Sequence, residues 1–422
     1  MIGSDEFKNA YRQNEKDFTR NRTLTFVGLV VSQINLMSKS LSVEVSKFVE
    51  RFFSLASDYT KQAFSKRRMR LKAEAFLALN RELVSQYYLQ GEYKTWQGHV
   101  LLAVDSSILQ LPGSRELARA FGLAGDKGHG MPLGRSSLLY DVENDLVLDA
   151  LLEEYRASER HMALEHLLFL QGLPLRAPCL LLFDQGYPSL WLLACLQHRQ
   201  LGFVMRCHAR FLTEVAAFAQ GTEQDAVLEL DLKASRRLEN EQLQQFLSPG
   251  QTTLYVRAVK VDLERGETEY LLTSLPQASL PALKGLYHKR WGVETGLDLH
   301  KNALQLENFS ARTELGVRQD FQARMLAVNL STLLIADAQQ ELEQQQALKA
   351  NKRVYRVNRA VALGLVKDNL ASLLMGQEAV EQLYDRLRRK IMRRKEAVRP
   401  GRSFPRVKKR RYKFHINKRP VI

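Results

Sequence analysis

Five short apolar runs between residues 99 and 207 constrain the fold of this chain more than any other feature. Each run is five to eleven residues long, which is typical of a β-strand. The runs are 99–109, 137–142, 146–152, 179–183 and 202–207. A turn at Glu143-Asn144-Asp145 joins the second run to the third, and helical segments that begin at Ser158 and Pro188 separate the later ones. The order β-β-β-α-β-α-β predicts an α/β fold with a mixed sheet.

The segments on either side of these runs have different patterns. Residues 1 to about 90 carry apolar residues at helical spacing, and residues 211–275 alternate in polarity as a mostly β insertion does. Helical spacing returns in 283–304, 317–345 and 358–374. We therefore predict five parts: a helical N-terminal region (1–95), the first part of the core (96–210), a β-rich insertion (211–278), the last part of the core (279–346) and a helical C-terminal region with a basic tail (347–422).

Two aspartates follow two of the predicted strands. Asp105 comes directly after the run Val100–Val104, and Asp184 comes directly after Leu180–Phe183. A strand-terminal aspartate usually caps the next segment, and each residue taken alone favours that interpretation. If the two strands are neighbours, however, the two carboxylates meet and repel unless a cation lies between them. Their oxygen ligands suit Mg²⁺ or Mn²⁺.

A third acid lies on the predicted helix that follows the insertion. Tyr287, Arg290, Glu294 and Lys301 are separated by offsets that place all four within a sector of roughly 60° on one helix face. A solvated charged face is the simpler interpretation of such a set. The combination of an acid, two cations and a phenol on one face nevertheless favours a site that handles a charged substrate.

Basic residues are concentrated at the end of the chain. Residues 386–422 contain 17 Lys or Arg and a single acid, so their net charge of +16 equals the formal charge of the whole chain. Such a tail predicts binding to a polyanion, although acidic membranes and RNA are alternatives to DNA. We assign Arg410 and Arg411 as DNA contacts within it.

A second basic segment, residues 61–72, lies in the helical N-terminal region. Its cations Lys66, Arg67, Arg68 and Arg70 either contact DNA phosphates or form a solvated helix face, and the pattern favours neither. The three cysteines, Cys179, Cys195 and Cys207, are widely spaced in apolar surroundings and are predicted to be reduced, which fits a cytoplasmic protein. No apolar run reaches the length of a membrane span, so no membrane association is predicted.

Three blocks of the sequence resemble the IS4 family of bacterial insertion-sequence transposases. Tyr287-x2-Arg290-x3-Glu294-x6-Lys301 is similar to the family signature that contains the catalytic glutamate. The segment that begins at Asp105, DSSILQLP, and the segment Asp184-Gln-Gly-Tyr187 are similar to the blocks that carry the two catalytic aspartates. The blocks occur in the family's order, and the resemblance covers roughly residues 60–335.

This resemblance implies an RNase H-like catalytic core and DDE-type cut-and-paste transposition. It also implies that the helical N-terminal region, residues 1–95, is the DNA-binding region. Asp105, Asp184 and Glu294 are then the catalytic residues and the ligands of two divalent cations, Mg²⁺ or alternatively Mn²⁺. Arg290 and Lys301 position phosphates, and Tyr287 supports the DNA backbone. The expected partners are double-stranded DNA, as terminal inverted repeats and target, and a second copy of the chain in a synaptic homodimer. The expected location is the bacterial cytoplasm, in association with the nucleoid.

Two other functions are compatible with part of this pattern. A stand-alone RNase H-like nuclease would also use three carboxylates and Mg²⁺, although the Tyr/Arg/Glu/Lys helix argues against it. A catalytically inactive or domesticated DNA-binding regulator would need only the basic segments, although all three acids are present.

Overall fold

The computed structural model describes residues 1–20, 23–35, 40–53, 59–124, 130–233, 241–262, 267–290, 306–348, 353–376 and 379–399. The chain forms two compact units, each assembled from separate segments. Unit 1 contains Met1–Asn80, Leu109–Leu133 and Leu299–Ile422, and unit 2 contains Arg81–Ile108 and Gly134–Asp298.

The N-terminal region is helical, as predicted. Its helices are α1 (Asp5–Tyr11), α2 (Phe26–Ile34), α3 (Leu41–Phe53), α4 (Lys61–Arg68) and α5 (Glu74–Gln90). Hydroxyl oxygens of Ser4, Thr25 and Thr60 accept hydrogen bonds from backbone N–H groups in the first turns of α1, α2 and α4. These caps satisfy donors that the helix itself leaves unpaired, and they explain where the helices begin.

The predicted order of strands and helices is confirmed in unit 2. The elements are β1 (Val100–Gln110), β3 (Met131–Asp141), β4 (Leu146–Glu154), α7 (Glu159–Leu170), β5 (Cys179–Phe183), α8 (Leu190–His198) and β6 (Gly202–Cys207). The strands lie in the order β3-β1-β5-β6, with β4 paired to β3. The β1–β5 and β5–β6 pairs are parallel, whereas β3 and β4 form the predicted antiparallel hairpin.

Two short elements between the first two long strands were not predicted. Helix α6 (Arg115–Phe121) and strand β2 (Leu123–Ala124) precede β3, which begins six residues earlier than its apolar run. Ser114 caps α6 by accepting a hydrogen bond from Leu117 N–H. The polar residues of α6 conceal its two buried positions, Leu117 and Phe121, so the segment has little periodic signal.

The predicted β-rich insertion contains three strands and two short helices among its described residues. It contains α9 (Thr213–Gln220), β7 (Asp225–Asp231), α10 (Glu241–Gln244), β8 (Thr253–Asp262) and β9 (Thr268–Thr273). Strand β9 pairs antiparallel with β6, so these strands extend the core sheet in the order β6-β9-β8-β7. Alternating polarity predicts strands but does not specify the sheet that they join, which is why the sequence missed this continuity.

Helices form the rest of the described chain. They are α11 (Leu280–Lys289), α12 (Glu314–Ala347), α13 (Arg359–Met375) and α14 (Val380–Arg393), and strands β10 (Tyr355–Val357) and β11 (Lys395–Ala397) form a two-stranded ribbon. Helix α14 was not predicted from the sequence. The basic segment that starts at residue 386 begins inside this helix. No helix in the described ranges has the length and apolarity that a membrane span requires. All three cysteines are free, as predicted.

The interior of unit 2 includes a buried carboxylate at the end of β3. Asp141 accepts hydrogen bonds from Tyr88 Oη at 2.6 Å, from the Asn144 amide at 2.7 Å and from the backbone N–H groups of Glu143 and Asn144. Burial raises the pKa of Asp141 from 3.8 to about 6, and the hydrogen bonds offset only part of that effect. Its ionised form is therefore less stable in the folded chain than in water.

For a second buried carboxylate, Asp149, the stabilising contacts outweigh burial, and its pKa is lowered. Asp149 contacts His166 Nδ1 at 2.8 Å and accepts from Arg81 at 3.1 Å, while His166 Nε2 lies 3.0 Å from Ser137 Oγ. Burial raises the pKa of Asp149, but His166 and Arg81 outweigh burial and the net shift is downward. This Ser-His-Asp row is inaccessible to a substrate because its side chains are fully buried, so its role is structural.

The two carboxylates should give opposite pH dependence of stability. Between the unfolded pKa of 3.8 and about 6, folded Asp141 holds more protons than the unfolded chain, so the free energy of unfolding falls as pH rises. Asp141→Asn has no carboxyl group to titrate, so its stability lacks this fall with pH. The free energy of unfolding of the variant minus that of the wild type should therefore rise by up to about 3 kcal/mol from pH 4 to pH 7. Urea unfolding at the two pH values measures the difference.

Asp149→Asn is the matched control. The lowered pKa of Asp149 contributes stability that is present above the unfolded pKa of 3.8 and is lost as pH falls below it. This variant should therefore lose stability relative to the wild type as pH rises towards 3.8, and its unfolding is compared below pH 4. Variant-minus-wild-type differences that do not change with pH would contradict both assignments.

Candidate active site

The two predicted aspartates occupy equivalent positions on neighbouring strands. In the parallel ladder between β1 and β5, the last pair is Val104 with Phe183. Asp184 is the first residue after β5, whereas Asp105 lies inside β1, which continues to Gln110, so the prediction that Asp105 comes after its strand is wrong. Neighbouring strands lie about 4.8 Å apart, so the two acids lie side by side where the ladder ends. The two strands are neighbours, which is the condition under which the sequence predicts that the carboxylates meet.

The turn after β5 keeps these acids close to a buried phenol. Tyr187 N–H donates to the Asp184 carbonyl oxygen at 3.1 Å, which closes the turn. The pKa of Tyr187 lies well above its ordinary value because the ring is buried and because the charges of Asp105, Glu159 and Asp184 oppose ionisation. Three carboxylates therefore act on one point in the interior of unit 2.

Two of the predicted residues on the later helix contact Asp184. The Tyr287 hydroxyl donates to Asp184 Oδ1 at 3.1 Å, and Arg290 Nη2 lies 3.9 Å from the same oxygen. Arg290, the C-terminal cap of α11, is almost completely buried and lies over the Tyr287 ring. Burial, together with Asp184, raises the pKa of Tyr287, although Arg290 opposes the shift, so the phenol remains a hydrogen-bond donor. Glu294 and Lys301 lie outside the described residues.

Arg206 is a site residue that the sequence did not predict. It projects from β6, with Nε 4.0 Å from Asp184 Oδ1, Nη2 2.9 Å from Gln185 Oε1 and Nη1 2.9 Å from Glu269 Oε1. Its only sequence signal is a charged residue within the apolar run 202–207. Together with Arg290 it places two guanidinium groups around Asp184.

An ion pair links the segments that carry the two aspartates. Arg135 on β3 forms an ion pair with Glu159 at the start of α7, and its Nη1 lies 3.4 Å from the hydroxyl of Ser106. The Glu159 carboxylate lies 3.0 Å from the position that a Cβ atom would occupy on Gly186. We call Arg135 and Glu159 the brace. Arg135 contacts Ser106, the residue after Asp105, and Glu159 lies against Gly186 in the turn that follows Asp184.

The donor set fits a hard divalent cation. Two carboxylates at adjacent strand ends supply oxygen ligands and negative charge, as Mg²⁺ and Mn²⁺ require. Within the described ranges no three His, Cys, Asp or Glu side chains are grouped so that they could hold a metal ion. The predicted third ligand, Glu294, is in the part that is not described.

The predicted DNA contacts in residues 61–72 fall into two groups by exposure. Lys66 and Arg70 are exposed, whereas Arg67 and Arg68 keep only 6% and 2% of their surface accessible. The Arg68 guanidinium donates to Gln319, Asp320 and the Gly316 carbonyl oxygen within unit 1, and Arg67 lies over the Phe18 ring. We therefore correct the assignment of Arg67 and Arg68, which stabilise the interior. Arg410 and Arg411 are not in the described ranges.

Comparisons with known proteins identify one family. A profile described as a transposase DDE domain matches residues 96–330, which is more than half of the chain. Seven chains of solved structures are similar, among them the piggyBac transposase in a synaptic complex with hairpin DNA. That similarity covers 90% of this chain and 79% of the other, at 12% identity and a TM-score of 0.45. No curated protein matches the chain.

Divalent cations should stabilise the protein through the paired aspartates. Because the two carboxylates repel each other, millimolar Mg²⁺ or Mn²⁺ should raise the melting temperature of the wild type by a few degrees. Asp184→Asn should lose most of this rise, and Glu229→Gln, which removes an exposed carboxylate from β7, should retain it. Differential scanning fluorimetry measures both, and an equal rise in all three proteins would exclude a cation site at Asp184.

Proposed function

Because the chain belongs to the transposase DDE domain family, we propose that it is a DNA transposase that cuts an insertion sequence from its donor and joins it to target DNA. The observation that carries this proposal is the parallel register of β1 and β5, which holds Asp105 beside Asp184. The contacts of Tyr287 and Arg290 with Asp184 support it. The three sequence blocks favour an IS4-type element of bacterial origin.

The catalytic acids of this proposal are Asp105, Asp184 and Glu294. They would hold two divalent cations, Mg²⁺ or alternatively Mn²⁺, which when bound favour formation of the attacking oxygen nucleophile and stabilise the leaving 3′ oxygen. The protein's own contribution is to fix the positions of the carboxylates. Asp105 is fixed by its strand, and Asp184 by its turn and by the Tyr287 hydroxyl.

Cationic side chains around Asp184 are suited to a phosphate. The Arg206 guanidinium lies 4.0 Å from the Asp184 carboxylate and keeps 30% of its side chain accessible, so it can bind a phosphate oxygen beside Asp184. Arg290 lies 3.9 Å from the same carboxylate but is almost completely buried, so its proposed contact with a phosphate requires its surroundings to move. Tyr287 stays protonated because its pKa is raised, so it orients Asp184 by donating a hydrogen bond and does not act as a base. Lys301 is proposed to extend this phosphate-binding set.

Other parts of the proposal concern DNA and assembly. Exposed Lys66 and Arg70 are proposed to contact DNA from the N-terminal region, together with Arg410 and Arg411 of the tail. A synaptic homodimer would bring two transposon ends together, and the five-part division of the chain would separate end binding from catalysis. We propose that the protein acts in the bacterial cytoplasm at the nucleoid.

Cleavage of cognate end DNA tests the proposal directly. With Mg²⁺, the wild type should nick at the element boundary and join the freed 3′-OH to a target plasmid. Glu294→Gln should lower the nicking rate about a thousandfold, because metal-assisted catalysis supplies several kcal/mol of transition-state stabilisation. The variant should still shift the DNA in a gel.

Each outcome of this assay identifies one function. Nicking without joining would indicate a stand-alone nuclease, and binding without nicking by the wild type would indicate a regulator. Metal-independent nicking, or full activity in Glu294→Gln, would overturn the assignment of the acids.

The brace generates a second test. Glu159→Ala should lower the rate of nicking on the order of tenfold to a hundredfold with little change in DNA affinity, because a small displacement of positioned groups has effects of that size. Gly186→Ala should also be harmful, since its new Cβ meets Glu159, but less so in the Glu159→Ala background. Single-turnover nicking at saturating protein gives the rates.

Glu165→Gln, an exposed position on the same helix, is the control and should behave as the wild type. Additive effects of Glu159→Ala and Gly186→Ala would show that Glu159 does not act through this turn.

A further inference from the structure

Helix α14 has two faces of different chemistry. Leu383, Leu387 and Ile391 are buried, and the helix packs against α12 and α13 within unit 1. The exposed side carries Arg386, Arg389, Lys390 and Arg393. At 100° per residue these four cations lie within a sector of about 100°, and they extend along roughly 10 Å of helix. We call these four residues the α14 basic face.

The acidic side chains near the α14 basic face contact other residues. Asp385 and Glu341 both form ion pairs with Arg388 at 3.0 Å, and Asp337 on α12 accepts a hydrogen bond from Tyr384. Among the described residues, no carboxylate forms an ion pair with Arg389, Lys390 or Arg393. The charges of Arg389, Lys390 and Arg393 are therefore available to a partner that is not part of the described chain.

The basic face is also held in a fixed orientation. Directly after α14, β11 pairs antiparallel with β10, and the Asn358 N–H donates to the Arg394 carbonyl oxygen at 2.8 Å. Arg356 and Glu396 form an ion pair across this ribbon at 2.9 Å. A fixed row of cations loses less conformational entropy on binding than a flexible segment does. Favourable interaction with the helix dipole accounts for cations in the last turn only, and Arg389 lies before that turn.

The chemistry of this face distinguishes among polyanions. An amphipathic helix binds a membrane by inserting its apolar side, but that side of α14 is already packed inside unit 1. A straight row of guanidinium and ammonium groups matches the phosphates of a DNA duplex, which carries one charge per about 1.7 Å of its axis. Such contacts fix the position of a duplex and do not read its sequence.

We propose that the α14 basic face binds the phosphate backbone of double-stranded DNA. The inference rests on the proposed function, because it assumes that DNA is the polyanion the protein meets. It assigns this binding to residues 386–393 of a helix, whereas the sequence pattern alone predicted it for the tail as a whole. The face belongs to unit 1 and the catalytic aspartates to unit 2, so its contribution to binding can be measured apart from catalysis.

A matched pair of double variants in the full-length chain tests the proposal. Arg389→Gln with Arg393→Gln removes two charges from the face, and Arg210→Gln with Lys233→Gln removes two exposed charges from unit 2. The affinity of each protein for a fluorescent duplex is measured by anisotropy over a series of salt concentrations. Log affinity falls as log salt concentration rises, and each lost phosphate contact lowers the steepness of that fall by about 0.9.

The α14 pair should therefore lower this slope by about two, and the unit 2 pair should leave it unchanged. Equal melting temperatures would confirm that both variants are folded. An unchanged slope in the α14 pair, or an equal decrease in both pairs, would overturn the proposal. Wild-type binding to phosphatidylglycerol vesicles that the α14 pair loses, without any change in the DNA slope, would overturn it in favour of a lipid surface.

The nicking assay separates this inference from the proposed function. A lowered slope in a protein that never nicks DNA would support the DNA-binding face and reject the transposase mechanism. A wild type that nicks DNA, combined with an unchanged slope in the α14 pair, would reject the face alone.

Discussion

The parallel pairing of β1 with β5 is the constraint on which the candidate site depends. Backbone hydrogen bonds fix Val104 opposite Phe183, and the next residue along each chain segment is an aspartate. Both strands are buried, so the ladder cannot shift without moving apolar side chains out of the core. The repulsion between the two carboxylates is therefore opposed by the stability of the sheet.

The residues around Asp184 share its negative charge among several partners. Arg206 and Arg290 lie about 4 Å away, which is longer than a hydrogen bond, and the Tyr287 hydroxyl on α11 donates a hydrogen bond at 3.1 Å. Arg206 also contacts Glu269 and Gln185. Asp184 is thus surrounded by positive charge but is not locked in a bidentate ion pair, so its oxygens remain able to bind a ligand.

The sequence predicted those parts of the site that depend on local patterns. An apolar run followed by an aspartate reveals a strand and its acid, although β1 continues past Asp105 to Gln110, and an offset of three places Tyr287 and Arg290 on one side of a helix. Arg135 and Glu159 could not be found in this way, because 24 residues separate them and only tertiary structure brings them together. Arg68 was wrongly grouped with the DNA contacts for the same reason. A basic segment does not reveal that one of its cations is buried and donates hydrogen bonds to Gln319 and Asp320.

The continuity between the insertion and the core sheet has a consequence for how such an enzyme could be redesigned. Strand β9 completes the hydrogen bonding of β6, and Glu269 on β9 holds the arginine that β6 presents to Asp184. Exchanging the insertion for that of another protein would leave the edge of β6 uncovered and Arg206 without its carboxylate. The segment is therefore no interchangeable cassette, and a chimera would have to retain the first edge strand even if every residue beyond it were replaced.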